Sequence, residues 1–421
     1  MDATLLLRRC QLAQWPQGEL IDIAIQSGRI EAIAPSIPLT APIEIEVNGQ
    51  LVSAPFVESH IHLDSALTAG EPRWNLSGTL FEGIDIWRDH KASLTIEDVK
   101  TRAIKALKQQ ASHGVLFVRS HADVSEPTLT ALKGLLEAKE AVKDWMTLQV
   151  VAFPQDGIYA HVPGAAASNE ALMEEALRLG ADAVGGIPHY ELTREDGVRS
   201  VHRIFELAQQ YDRLIDIHCD EIDDPHSRFL EVVAACAIRG EWGAKVTASH
   251  TTAFGSYNDA YALKLMGILK RSHLNFIANP LINITLQGRT DTYPKRRGVT
   301  RVKELWQNGL NVSLGHDCIQ DPWYSLGTGN PLAVADMAVH VCQMTGLEEI
   351  DACFEMVTSG GARTLNVQDG YGIEEGKPAN LVVLDAQSRY EAILNRATVK
   401  TVISSGQILV ETTPPTVSWR A

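Results

Sequence analysis

The sequence predicts a (β/α)8 TIM-type barrel that carries a small β-sandwich domain formed by both chain ends. Three observations point there. Between residues 56 and 366, short apolar runs alternate with longer helix-like stretches, the pattern of βα units around a parallel sheet. Polar residues gather at the C-terminal ends of those runs, which in such a barrel is the catalytic face. Outside that span, both ends of the chain break into short β pieces separated by glycine-containing turns.

Residues 1–55 supply the N-terminal part of the sandwich. In IDIAIQSGRIEAIA and IEIEVNGQLVSAP, Ser27-Gly28 and Asn48-Gly49 read as hairpin turns. The eight barrel strands are then read from LVSAPFVESHIHLD, GVLFVRSHADV, TLQVVAFPQ, DAVGGIPHYE, LIDIHCDE, KVTASHTT, LNFIANPL and LNVSLGHD. Between them lie helix patterns such as TIEDVKTRAIKALKQQASHG, opened by a capping-box-like Thr95/Asp98 and closed by a glycine. Residues 367–421 return to short strands with a hairpin at Ser405-Gly406. They are expected to join residues 1–55, because chain ends that bracket a domain often lie close together. The rival architecture, a doubly wound open sheet, lacks a Gly-rich phosphate turn after the first strand.

Composition narrows the function classes. A chain of 421 residues, 45% hydrophobic and 21% charged, has enough apolar material for one large core and a smaller module. Its net charge of −15 is interrupted by no basic stripe. Such a surface repels a polyphosphate backbone, so no nucleic-acid partner is expected and a nucleobase substrate would enter as the free base. The same charge also serves plain solubility. No apolar run approaches the roughly 18 residues of a membrane span, and the opening MDATLLLRRCQLAQWPQG does not read as a signal peptide. Cys10, Cys219, Cys236, Cys318, Cys342 and Cys353 show no paired spacing. A disulfide framework is therefore not expected, and a cytoplasmic location is.

The strand ends carry His60, His62, His121, Asp123, Gln155, His189, His218, His250, Asn279 and Asp317. His60 and His62 are two apart on a strand, so both side chains leave one face and can reach one metal ion. Alone this is weak, since 14 histidines in this chain give roughly 0.5 such pairs by chance. His218, His250 and Asp317 end the fifth, sixth and eighth runs, so four strands aim metal-type ligands at one point. Gln155 offers a donor and an acceptor side by side, matching the adjacent carbonyl and ring N–H of a pyrimidine. Trp323 offers an aromatic wall, although an aromatic there also serves as core or interface. Cys219 reads as barrel packing, and His121 and His189 as supporting or structural residues.

In this order on eight strands, FVESHIHLD, HCDEIDD, ASHTT and GHD resemble the amidohydrolase superfamily. Within it, SGTLFEGI, VAFPQDG, HCDEIDD, QGRTDTYPKRRG and HDCIQDPWYSLGT are similar to bacterial cytosine deaminases over most of the chain. The resemblance implies hydrolytic deamination of a free cytosine-type base, with one divalent metal ion, Fe2+ or Zn2+, held by His60, His62, His218 and Asp317. It further implies that Asp317 takes a proton from water, that His250 orients the nucleophile, and that Glu221 shuttles protons to the ring nitrogen and the leaving amine. A homo-oligomer, a hexamer by resemblance, is also implied. The fourth run, DAVGGIPHYE, holds no lysine, whereas binuclear superfamily members bridge two metals through a carboxylated lysine there.

One residue departs from the resemblance. Cytosine deaminases usually place a second acid straight after the metal-binding aspartate, and here that position is Cys318. This leaves the reaction alone and shifts the expected substrate towards 5-methylcytosine, with cytosine itself also accepted. Other readings are weighed against this one. Zinc base deaminases of the H-x-E…P-C-x-x-C type are excluded, because His189-Tyr190-Glu191 has no P-C-x-x-C partner. A deaminase of isocytosine or creatinine, a cyclic-amide hydrolase of the same superfamily, and a non-catalytic metal-binding relative remain as alternatives.

Overall fold

The computed structural model describes residues 3–14, 18–159 and 168–419. Residues 1–2, 15–17 and 420–421, which fall in stretches read as sandwich, lie outside the described residues, as do 160–167 after the third barrel strand.

Five strands come first: β1 (Leu5–Leu12), β2 (Leu20–Gln26), β3 (Arg29–Ala34), β4 (Ile43–Glu46) and β5 (Leu51–Ser53). The barrel strands follow as β6 (Phe56–Ile61), β7 (Val115–Asp123), β8 (Thr147–Phe153), β9 (Ala183–Gly186), β10 (Leu214–Cys219), β11 (Val246–His250), β12 (Asn275–Ala278) and β13 (Asn311–Leu314). Each pairs in parallel with the next. The circle closes where Ile61 bridges Asp317: Asp317 N–H donates to the His60 carbonyl and His62 N–H to the Asp317 carbonyl, both at 2.9 Å. Every predicted barrel run thus contains its strand. The exception in detail is LVSAPFVESHIHLD, which divides at Ala54-Pro55 into β5 and β6. Proline has no N–H for a ladder, so the chain changes sheets there.

Helices fill the crossovers. They are α1 (Leu80–Lys91) and α2 (Ile96–Ser112) after β6, then α3 (Thr130–Val142), α4 (Asn169–Leu179), α5 (Arg194–Tyr211), α6 (Phe229–Gly240) and α7 (Asp259–Ser272), with the short α8 (Pro280–Leu286) after β12. Thr95 caps α2 as predicted, its hydroxyl accepting the Asp98 N–H, and Gly114 follows the helix with φ +85°. All nine residues of β7 are buried, as expected for a strand covered by helices outside and packed side chains inside. Across the barrel interior, Arg119 donates to Asp216, Thr247, Gln149 and the Thr364 carbonyl at 2.9–3.2 Å. A fully buried guanidinium is tolerable only with such complete pairing.

The chain ends share one sheet. Its order is β16 (Gln407–Glu411), β15 (Val399–Ser404), β14 (Leu381–Leu384), β5, β1, β2, β3, with β4 also on β1. The Ser27-Gly28 and Ser405-Gly406 hairpins form as predicted. Asn48-Gly49 does not make one. Both residues take positive φ, the turn chemistry the sequence advertises, yet β4 and β5 each pair in parallel with β1, end to end along the same edge. The turn fits against a bulge in β1, where Arg9 (φ +54°) accepts the Gly49 N–H at 2.8 Å. Both faces of β1 and β2 are covered. Leu5, Leu7, Ile23 and Ile25 join the main core, while Leu6 and Ala24 pack with Ile37 in a second one.

Candidate metal and substrate site

Closure of the barrel brings the predicted ligands together. Because β6 and the segment after β13 are hydrogen-bonded neighbours, Asp317 Oδ1 comes within 3.7 Å of His60 Nε2 and 3.5 Å of His62 Nε2. Gly315 is needed for that approach: a Cβ there would meet Asn279 Oδ1 at 2.4 Å and His60 Cβ at 2.9 Å. From β10, His218 Nε2 reaches 3.1 Å from His62 Nε2. From β11, His250 Nε2 lies 3.3 Å from His60 Nε2 and 3.8 Å from Asp317 Oδ2. His250 and Asp317 both adopt left-handed backbone (φ +66° and +70°), strain of the kind that collects at functional sites.

These residues fit a metal ion. Ligand atoms bonded at about 2.0–2.2 Å around a tetrahedral cation lie roughly 3.3–3.6 Å apart, and the distances of 3.7 Å from Asp317 to His60, 3.5 Å from Asp317 to His62 and 3.1 Å from His62 to His218 bracket that. Electrostatics agree. Burial first, and the neighbouring imidazoles second, hold His60, His62 and His218 far below the usual histidine range, in the neutral form that ligates. Burial, then the Glu221 and Asp321 carboxylates, push Asp317 far above its usual range. A cation between them would relieve that cost.

Beneath the ligands, Ser249 Oγ lies 3.1 Å from His60 Nδ1 and donates to Asp216 Oδ1 at 2.5 Å. Such support fixes ring orientation in metal-binding histidines. His121 sits closer to the centre than the sequence suggests. Its ring lies against that of His60, tilted by 38° with centroids 4.1 Å apart, its Nε2 lies 3.6 Å from Asp216, and it can share a cation with His60 and His218. Glu221, just beyond β10, places Oε1 3.1 Å from His250 Nδ1. Burial raises Glu221 to about 8. Asn279 and Asn283 bring their carboxamides within 3.0–3.3 Å of the His250 ring. Asn283, on α8, was not singled out in the sequence; nothing in its spacing marked it.

A narrow pocket opens beside this cluster. His62, His218, Glu221, Asp317, Gln155, Cys318 and Trp323 line it, so the three predicted substrate residues meet two of the predicted catalytic ones, Glu221 and Asp317. The rest of its wall is apolar: Leu80, Ile187, Ile282 and Leu286. Cys318 is buried with Ile282 and Leu286, against Leu80, Trp323 and Tyr324. Trp323 is held by the Asp321 carboxylate, which accepts the N–H of Trp323 and of Tyr324 at 2.9 Å. Sequence reasoning used SGTLFEGI for its resemblance but gave no role to α1, which that segment begins. Its Leu80 enters the pocket, and its Gly83 lies so close to Trp323 that a Cβ would come within 2.3 Å of the indole. His189 borders a neighbouring cavity with Phe81 and Tyr190, and burial lowers it to about 4. All six cysteines are free, and among the described residues no helix is long and apolar enough to cross a membrane.

A parallel eight-stranded barrel with a nest of imidazoles and a carboxylate at its C-terminal mouth defines a hydrolase of the metal-site barrel class. The chain belongs to the amidohydrolase family, whose model matches residues 44–410. It is similar to the crystal structure of 5-methylcytosine deaminase from Klebsiella pneumoniae liganded with 5-fluorocytosine. The identity is 48% and the TM-score 0.94, over 98% of this chain and 99% of that one. Among curated relatives, N-isopropylammelide isopropyl amidohydrolase of Pseudomonas sp. (strain ADP) is 31% identical over 97% of this chain and 98% of its own length. Pterin deaminase of Rhizobium rhizogenes is 27% identical over 93% and 88%.

Proposed function

We propose that the protein is a metal-dependent aminohydrolase that removes the exocyclic amine at carbon 4 of a free cytosine-type base, with 5-methylcytosine preferred and thymine its product. The observation that carries this reading is the 48% identity to 5-methylcytosine deaminase over nearly the whole of both chains. The apolar setting of Cys318 supports the substrate.

His60, His62, His218 and Asp317 would hold one divalent ion, Fe2+ or Zn2+. When bound, the ion supplies Lewis-acid activation that makes water a usable nucleophile near neutral pH. Asp317 turns Oδ1 towards His60 and His62 and Oδ2 towards His250, so Oδ2 is free to take the proton of the attacking water. His250, braced by Asn279 and Asn283, orients that water. Glu221, raised to about 8, carries a proton at pH 7. It gives that proton to the ring nitrogen beside carbon 4; of the water's two protons, one held by Asp317 and one on the new C4 hydroxyl, one reaches the departing amine through Glu221 and the other restores Glu221. The carbon–nitrogen bond breaks, a carbonyl replaces it, and ammonia leaves. Gln155 reads the carbonyl and ring N–H of the base, and Trp323 covers its face.

The wall around Cys318 favours a 5-methyl group. A carboxylate there would have to lose its water against Ile282 and Leu286, whereas a cysteine acts as a small hydrophobe. A methyl-sized difference in such a pocket is worth roughly 1–3 kcal/mol. The test is ammonia release from cytosine, 5-methylcytosine, isocytosine and creatinine by the purified enzyme. The highest kcat/KM is expected on 5-methylcytosine; a preference for isocytosine or creatinine overturns the reading.

A further inference from the structure

We propose that Lys91 is a positioning residue for base recognition: from the last turn of α1 it clamps the turn that carries Gln155, and so fixes where the carboxamide stands in the pocket. Lys91 Nζ lies 3.0 Å from Asp123 Oδ2 and 2.9 Å from Asp156 Oδ2. All three side chains are nearly withdrawn from solvent, at 11%, 3% and 12% exposure. Asp123 ends β7, and Asp156 directly follows Gln155 beyond β8. One ammonium group therefore ties α1 to the ends of two adjacent barrel strands.

The rest of the helix shows what the clamp serves. At its first turn α1 sends Leu80 into the pocket, and Gly83 lies against Trp323. Near its end, Trp87 Nε1 donates to Asp123 Oδ2 at 3.0 Å, beside Lys91. On its far side the Gln155 turn is held independently, because Glu191 accepts the N–H of Ile158 at 2.7 Å and of Tyr159 at 3.1 Å. The turn is thus fixed at both ends, and at the end next to Gln155 Lys91 is the nearer of two cations on Asp156, at 2.9 Å against 3.4 Å for Arg88. Removing it leaves buried Asp123 without a cation and Asp156 with only Arg88, whose Nη2 stands 3.4 Å from Asp156 Oδ1. Asp156 then has reason to move, and Gln155 moves with it.

The proposal rests on the reading that Gln155 contacts the base, so the experiment separates the two. The full-length metal-loaded enzyme is assayed on the base it turns over best, as wild type, Lys91→Met, Gln155→Ala and the double variant. Lys91→Met is expected to raise KM about tenfold while kcat stays within about threefold and metal content is unchanged. In the Gln155→Ala background the same substitution is expected to add less than about twofold, since residues acting through one contact are not additive. Should Lys91→Met fail to fold, Asp156→Asn keeps the side-chain shape, discharges the clamp and carries the same cycle. A KM raised by Gln155→Ala together with a fully additive Lys91→Met effect overturns this proposal alone. A KM unmoved by Gln155→Ala overturns the Gln155 assignment and the proposal with it.

Discussion

His60, His62, His218, His250 and Asp317 stand on barrel strands or at the bridge that closes them, whereas Leu80, Gln155, Cys318 and Trp323 stand on a helix or in turns. The first group shares one hydrogen-bonded frame. Its spacing is set by strand register, down to the paired 2.9 Å bonds that bring Asp317 beside His60 and His62. The second group is assembled from the three segments that follow β6, β8 and β13, which meet only after the helices dock. Chemistry placed on the frame tolerates little change; recognition placed on loops can vary while the frame stays. The difference teaches that reaction class and substrate choice are separable in this molecule, and each prediction strains one side of it.

The largest effect is expected at the frame. Chelating the metal should abolish turnover, and one equivalent of Fe2+ or Zn2+ per chain should restore it; activity that returns only with two ions per chain refutes the mononuclear reading. Next comes Glu221→Gln, which should keep the metal and lose at least about 10²-fold in kcat, the usual scale for general acid–base work. In the proposed mechanism Glu221 works protonated, and burial raises it to about 8, so wild-type kcat should fall as pH rises through that value. A pH profile that stays flat from 7 to 9 removes Glu221 from the proton path.

The loop side should shift preference and leave the reaction intact. Cys318→Asp is expected to lower kcat/KM for 5-methylcytosine relative to cytosine by about tenfold, within the range a methyl-sized contact can supply. An unchanged ratio shows that the position does not select the base. The smallest change is expected from Gly83→Ala, whose Cβ would press on Trp323 at 2.3 Å. KM should rise several-fold with kcat and metal content nearly constant; loss of metal instead would show that the helix supports the frame as well as the roof.

Strand-end histidines and Asp317 could be read from the chain because a strand's face is a local property: alternate residues point the same way whatever the strand packs against. The apolar runs that make the barrel, the Thr95 cap and two of the three hairpin turns are legible for the same reason. Asn48-Gly49 marks the limit. Its backbone took the turn conformation that its residues prefer, but which strand lay alongside depended on a bulge forty residues away in β1. The part α1 plays over the pocket was not legible on the same grounds. Gly83 lies within SGTLFEGI and Lys91 in no motif, but each acquires its role only when α1 lies across the mouth of the barrel. Asn283 at His250 and Ser249–Asp216 under His60 likewise meet their partners from separate strands and helices. By itself the sequence determined the periodicity, the turn chemistry and the donor atoms at the strand ends. Tertiary closure decided which of those donors converge and what walls the pocket, because contacts between distant segments depend on how all the elements pack at once.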